Sequence, residues 1–348
     1  MKKKLFTLLL ASAMTLSLAA CGGTNGQVGG SSNSSANGSN SANQPSAGSN
    51  GGSGQSYTIG ICQLAPHPAL DAATQGFKDT LTEKLGDRVK FSEGNAGGEA
   101  NNCIPIVDGF LSENVDLILA NATSPLQTAA SATSEIPILG TSVTDYATAL
   151  GIDSWTGTVG GNISGTSDLA PLDQQAEMLR ELFPDAKNVG LLYCSGEPNS
   201  VYQVEVISQA LTGMGYTCTN FAFTDVNDIA SVTQSACDSS DVIYIPTDNT
   251  AANNTEAIAN VVLPAGVPVI AGEQGICSGC GVASLSISYY EIGQMAGEMA
   301  YDILVNGADI STMAVQTAPT VTKVFNEANC KALNITPPEG YTAISTES

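Results

Sequence analysis

The sequence is short of the residues that most enzymes and nucleic-acid binders rely on. It has one histidine, His67, among 348 residues. A Ser-His-Asp or Cys-His arrangement elsewhere in the chain therefore has no imidazole to use. No His-Glu-x-x-His, Gly-x-Ser-x-Gly, P-loop or Gly-x-Gly-x-x-Gly segment is present. Basic residues are scarce too, 11 Lys+Arg against 33 Asp+Glu. Such a surface repels phosphate backbones and excludes a nucleic-acid partner. Only one tryptophan occurs, Trp155. Beyond residue 57 no apolar run is long enough to span a bilayer.

What is present begins with an address. Lys2, Lys3 and Lys4 precede an apolar stretch from Leu5 to Leu18, followed by Ala19-Ala20-Cys21-Gly22. A basic start, a short apolar centre and small residues before a cut describe a signal peptide over residues 1–20. A cysteine directly after Leu-Ala-Ala resembles the bacterial lipobox, which implies lipidation of Cys21. Residues 21–56 are almost entirely Gly, Ser, Asn and Ala with no charge, a composition that makes a flexible tether. Loss of the leader with its three lysines takes the formal charge from −22 to about −25. The expected location is the outer face of a bacterial, Gram-positive-type membrane, held by the lipid.

Eight cysteines remain after Cys21, an even number suited to an oxidising compartment. Cys277 and Cys280 are near enough in sequence to bridge each other, with free thiols as the alternative. They lack a second pair at zinc-ligand spacing, so no metal or other cofactor is expected.

From residue 57 short apolar runs alternate with helical periodicity. Strands are expected over Tyr57–Cys62, Val89–Ser92, Asp116–Ala120, Pro137–Gly140, Asn188–Cys194, Thr217–Phe223, Asp241–Ile245 and Pro268–Ala271. Stripes such as Leu70, Ala73, Phe77, Leu81 and Leu85 predict the helices between them. This order predicts an α/β fold of two doubly wound parallel-sheet lobes. A repeat supports two lobes: Asp116-Leu-Ile-Leu-Ala, a polar loop, a helix and Pro137, then Asp241-Val-Ile-Tyr-Ile, a polar loop, a helix and Pro268. The division expected is 57–160 plus 288–312 for one lobe and 161–287 plus 313–345 for the other.

Ligands of doubly wound sheets sit at the loops leaving the carboxyl ends of strands. Here those loops are polar and carry Gln63, His67, Asn121, Thr123, Ser124, Thr144, Asp145, Asn199, Ser200, Thr247, Asp248, Asn249 and Glu273. A free amino acid needs two opposite partners. Thr123 and Ser124 before Pro125, and Asn199 and Ser200 on the other lobe, would offer helix amino ends to a carboxylate. Asp248 would receive the ammonium, with Asp145 and Glu273 as neighbouring alternatives. Gln63 and His67 would wall the cleft, Tyr146, Tyr202, Tyr289 and Tyr290 could stack on an aromatic ligand, and Trp155 would pack at the hinge. Ordinary helix capping explains many of the same Ser, Thr, Asn and Asp residues.

The segments Ile59-Gly-Ile-Cys-Gln-Leu-Ala-Pro-His-Pro-Ala-Leu-Asp71, Gly161-Asn-Ile-Ser-Gly-Thr-Ser-Asp168, Tyr244-Ile-Pro-Thr-Asp-Asn249 and Tyr289-Tyr-Glu-Ile-Gly293 together resemble the TrpX-like ABC-transporter substrate-binding proteins. The resemblance implies a type I periplasmic-binding fold with a three-crossover hinge, a monomer that closes on an aromatic amino acid, and delivery to an ABC permease with its ATPase. No catalysis is expected. The rival readings are a lipid-anchored sensor receptor for a sugar or nucleoside, and a lipid-anchored hydrolase. Cys62, Cys103 and the Cys277–Cys280 loop depart from the family pattern.

Overall fold

A computed structural model describes residues 54–337 and 339–344. The leader, Cys21 and the tether up to residue 53 lie outside the described residues. Thirteen strands form two sheets. The first lobe uses β1 (Tyr57–Gln63), β2 (Val89–Asn95), β3 (Leu117–Asn121), β4 (Ile138–Thr141) and β5 (Ile163–Ser167). The second uses β6 (Asn188–Cys194), β7 (Thr217–Phe223), β8 (Val242–Ile245), β9 (Val269–Ala271) and β10 (Ala283–Ser286). The short β11 (Gln316–Thr317), β12 (Thr322–Phe325) and β13 (Thr342–Ala343) complete them. Strand orders are β11-β5-β4-β3-β1-β2 and β13-β12-β10-β9-β8-β6-β7.

All ladders are parallel except β10 with β12. Parallel sheets need helices on both faces, so their strands are apolar on both sides. In β3 every residue is buried, and alternate side chains enter different cores. Leu117 and Leu119 join Ile59, Ile61, Phe77 and Met299 on one face. Ile118 and Ala120 join Cys62, Val107 and Leu126 on the other. The second lobe repeats this: Val242 and Tyr244 face one core and Ile243 and Ile245 the opposite one.

The internal repeat has a structural counterpart. Asp116, just before β3, accepts the Thr58 N–H at 2.7 Å. Asp241, just before β8, accepts the Asn188 N–H at 2.8 Å and the Lys187 N–H at 2.9 Å. In each lobe a carboxylate pins the start of the neighbouring strand.

The chain crosses between lobes three times, after β5, after β10 and after β11. Two boundaries differ from those read in the sequence. Residues 163–167, expected in the second lobe, form β5 and pair with β4 in the first sheet. Residues 316–317 pair with β5 and also stay in the first lobe. The segment Ile-Ser-Gly-Thr-Ser carries no alternating apolar pattern, because its small residues fit under neighbours instead. A Cβ at Gly165 would run into Gly140 and the Tyr146 hydroxyl. Trp155, expected at the hinge, packs on the first lobe. Its ring stacks on Tyr146 with centroids 6.4 Å apart and stays 41% exposed.

Candidate functional site

Helix Pro68–Leu85 starts in the loop after β1, with His67 at its N-cap and Pro68 at its first position. Proline there gives up only an N–H that would be unpaired anyway. His67 makes no capping bond of its own. Its ring is buried, and Nε2 lies 3.2 Å from Oδ1 of Asn249 on the second lobe. Burial lowers the pKa of the imidazole, so it is neutral at pH 7. Nε2–H then donates to Asn249, and Nδ1 is left as an acceptor. The lobes also approach where helix Tyr146–Leu150 meets helix Pro198–Gly213.

Along the carboxyl edge of the first sheet the ladder aligns Gln63, Asn121 and Thr141. Gln63 serves its own lobe: Nε2 donates to the Ala65 carbonyl and to Asp71, and Oε1 accepts from Thr74. Asn121 donates to the Leu70 carbonyl at 2.8 Å and to Thr74 at 2.9 Å. Its Oδ1 is buried without a partner, and so are His67 Nδ1, Ser142 Oγ and Asp168 Oδ1. These four atoms belong to the loops leaving β1, β3, β4 and β5, which are neighbours in the sheet. Buried polar atoms are normally paired, and four orphans on one sheet edge mark a place for a polar ligand.

Backbone strain occurs at the same edge. Ala122 has φ of 105° and Ser142 has φ of 54°, values costly for residues with a Cβ. Ala122 leads into helix Thr123–Ala132. Thr123 is buried and Ser124 half-buried at its amino end.

Asp168 is the residue that the sequence reading missed. It follows β5 directly, is 3% exposed, and accepts the Tyr289 hydroxyl at 2.9 Å through Oδ2. The Thr144 hydroxyl also interacts with this carboxylate. Burial raises its pKa, since an uncompensated buried charge is expensive. The available signal was its place at the end of Gly161–Asp168, obscured by assigning residues from 161 onward to the second lobe.

The second-lobe acids are used differently. Asp248 was expected to hold an ammonium, but its carboxylate is already occupied. Oδ2 accepts the Cys194 N–H at 2.7 Å, Oδ1 accepts the Ala251 N–H at 2.8 Å, and Ser200 adds its hydroxyl. Glu273 caps its own short helix by accepting the Gly275 and Ile276 N–H groups. Burial pushes both carboxyls up to about 7. Asp145 caps helix Tyr146–Leu150 through the Thr148 N–H. Asn199 donates to the Thr247 carbonyl and to Glu197, and Thr247 lies against the Gly272 carbonyl. Glu197, a second residue missed from sequence, ties these loops together. It accepts from both nitrogens of Asn249 and from the N–H and hydroxyl of Thr250, at 2.7 to 3.0 Å.

Cys277 and Cys280, expected to bridge, are both free thiols. The Cys280 thiol is instead directed at the Ile276 carbonyl, 3.4 Å away.

Two cavities are lined by both lobes. One of about 410 Å³ touches Leu64, Glu99, Ser124, Glu197 and Asn249. The other, of about 550 Å³, touches Pro68, Ala72, Glu273 and Tyr289. Neither is lined by Asn121, Ser142 or Asp168. Among the described residues no helix is long and apolar enough to cross a membrane.

Two parallel-sheet lobes joined by three crossovers, with orphan polar atoms between them, define a binding protein of the type I periplasmic class. Residues 58–348 match the family model of the ABC transporter substrate-binding proteins, and the chain belongs to that family. It is 32% identical over 337 residues to a Clostridioides difficile protein named as a tyrosine-binding protein, covering 96% of this chain and 93% of the other. The structure is similar to that of an ABC domain from Streptococcus pneumonia in complex with L-Trp, with TM-score 0.79 and 30% identity over 83% of this chain and all of that one. A ligand-free, open substrate-binding protein from Clostridium difficile is 33% identical over 84% of this chain and all of that one, yet gives a TM-score of only 0.65.

Proposed function

We propose that this chain captures a free amino acid, with aromatic side chains favoured, between its lobes and presents it to an ABC permease and its ATPase without chemical change. The four orphan atoms on the first lobe's edge carry the reading. An ammonium has three donors, and Asp168 Oδ1 offers it an anionic acceptor, with Asn121 Oδ1 and neutral His67 Nδ1 as further acceptors along the same edge. Asp168 replaces Asp248 as the anionic partner, because its second oxygen is uncommitted. Ser142, with the amino end of helix Thr123–Ala132, offers donors to the carboxylate. The similarity to proteins described as tyrosine-binding and as an L-Trp complex supports the aromatic class. Closure would work by population shift, with ligand contacting both faces.

Lipidation of Cys21 after removal of residues 1–20 would hold this monomeric carrier at the outer membrane face, where a tether raises its concentration near the permease. Calorimetric titration with tryptophan, tyrosine and phenylalanine tests the ligand class. One-to-one saturable binding without turnover is expected, and heat from sugars or nucleosides alone would replace the amino-acid reading. Mass spectrometry of membrane-extracted protein should find acyl chains on Cys21 and none in Cys21→Ser.

A further inference from the structure

Cys62 ends the buried part of β1, immediately before Gln63 and the His67 loop. Cys103 opens helix Cys103–Glu113, immediately after the 96–102 loop. The way this helix lies on the sheet brings the two together. Gly60 has no side chain because the Phe110 ring occupies that space: a Cβ there would sit 2.6 Å from the ring. Gly94, on the adjacent strand, makes the same room for Ile106. Cys62 is two residues beyond Gly60 and therefore on the same face of β1. Cys103 is seven residues before Phe110, two turns back on the same face of the helix. Both are fully buried in one core as free thiols, and each perturbs the other's titration, Cys103 raising the Cys62 thiol and Cys62 lowering that of Cys103.

From this juxtaposition we infer that Cys62 and Cys103 are a disulfide site, oxidised while the chain folds outside the cell. The inference rests on the extracytoplasmic reading proposed above. The chemistry is thiol–disulfide exchange with an external disulfide. One thiolate attacks that disulfide and releases one thiol. The second thiolate then displaces the other half, leaving an S–S bond in the protein and two thiols on the donor. The two protons of the cysteines pass to solvent and the donor's leaving thiolates. Because both sulfurs are shielded in the folded lobe, exchange precedes closure of the core.

The bond would join the start of the loop carrying His67 to the end of the loop carrying Gly97 to Ala100. The closed loop spans helix Pro68–Leu85, β2 and their flanking turns, long enough for a sizeable restriction of the unfolded chain. The other thiols have different orientations: Cys280 and Cys330 point at the carbonyls of Ile276 and Val282, and Cys218 at that of Ser208.

The test refolds the purified protein with oxidised glutathione, unfolds it in guanidinium chloride without reduction, blocks free thiols with iodoacetamide, and maps the peptides by mass. A linked pair containing Cys62 and Cys103, lighter than the free peptides by two hydrogen atoms, is expected, with alkylation of Cys194, Cys218, Cys237, Cys277, Cys280 and Cys330. Alkylation of both Cys62 and Cys103, or a link from either to another cysteine, overturns the inference. A reductant should lower the Tm of the oxidised protein by several degrees and leave that of Cys103→Ser unchanged. An equal response of the two proteins also overturns it. None of these readouts depends on where the protein resides, so failure of the extracytoplasmic reading would appear separately, as absence of acylated Cys21.

Discussion

His67 Nε2 and Asn249 Oδ1 lie 3.2 Å apart although 182 positions separate them, and the pair spans the two lobes. Asn249 is in turn held by Glu197, so the first lobe's imidazole meets a fixed partner. His67→Ala should favour the open form. A hydrogen bond between lobes is worth about 1 kcal/mol net, so amino-acid affinity should fall roughly fivefold. Small-angle scattering should show a larger radius of gyration for the ligand-free variant. Unchanged affinity and radius would remove this contact from closure.

Asp168 and Asp248 should separate binding from stability. Asp168→Asn keeps the shape and removes the anion, and calorimetry should show a loss of about 2–4 kcal/mol in binding. Its ligand-free Tm should stay level or rise, since no charge is then buried. Asp248→Ala strips a helix cap and the anchor of the Cys194 N–H. It should cost about 2–3 kcal/mol of folding stability by chemical denaturation. Loss of binding in Asp248→Asn with unaltered Tm would return Asp248 to the ligand.

Glu273 gives a pH signature. Its carboxyl ordinarily titrates at 4.5 and is raised by burial to about 7 in the folded chain. Between these values the folded state binds more protons than the unfolded one. Stability therefore falls as pH rises from 4.5 to 7 and is flat above that, a change on the order of 3 kcal/mol. Asp248 acts in the same direction, and neutral His67 opposes both at the acid end. The difference between wild type and Glu273→Gln isolates the Glu273 contribution. Thermal scans across this range should show the wild type losing its advantage as pH rises. A constant difference would contradict the assignment.

Helix packing makes the fourth prediction. Helices Pro68–Leu85 and Tyr289–Leu304 touch through Gly76 and Gly293, where a Cβ would overlap the carbonyls of Tyr290 and Ala73. Gly293→Ala should therefore cost about 2 kcal/mol or more despite the better helix propensity of alanine. Urea denaturation gives the magnitude, and a stabilised variant would show that the helices can move apart.

Much of the fold can be read from local pattern. Apart from β2, which runs three residues past Ser92, the expected strands lie within about a residue of their apolar runs, because strands buried on both faces have little choice but to be continuously apolar. The short strands β5, β10, β11 and β12 are less legible, since Ile-Ser-Gly-Thr-Ser and Ala-Ser-Leu-Ser carry few apolar side chains. At the site, the polar loops could be named, but not which members had a free valence. Asp248 and Asp168 are equally plausible carboxylates in one dimension. Only the positions of Cys194, Ala251 and Ser200 show that the first is spent.

Periodicity, charge and ordered motifs already fixed the two-lobed parallel architecture, the acidic surface and the family. Only the folded arrangement places β5 in the first lobe, brings His67 to Asn249, and leaves Asp168 Oδ1 without a partner. The physical reason is that hydrogen-bond satisfaction is settled between residues far apart in the chain. A residue's type sets what it can donate or accept, and its neighbours in space decide what remains for a ligand.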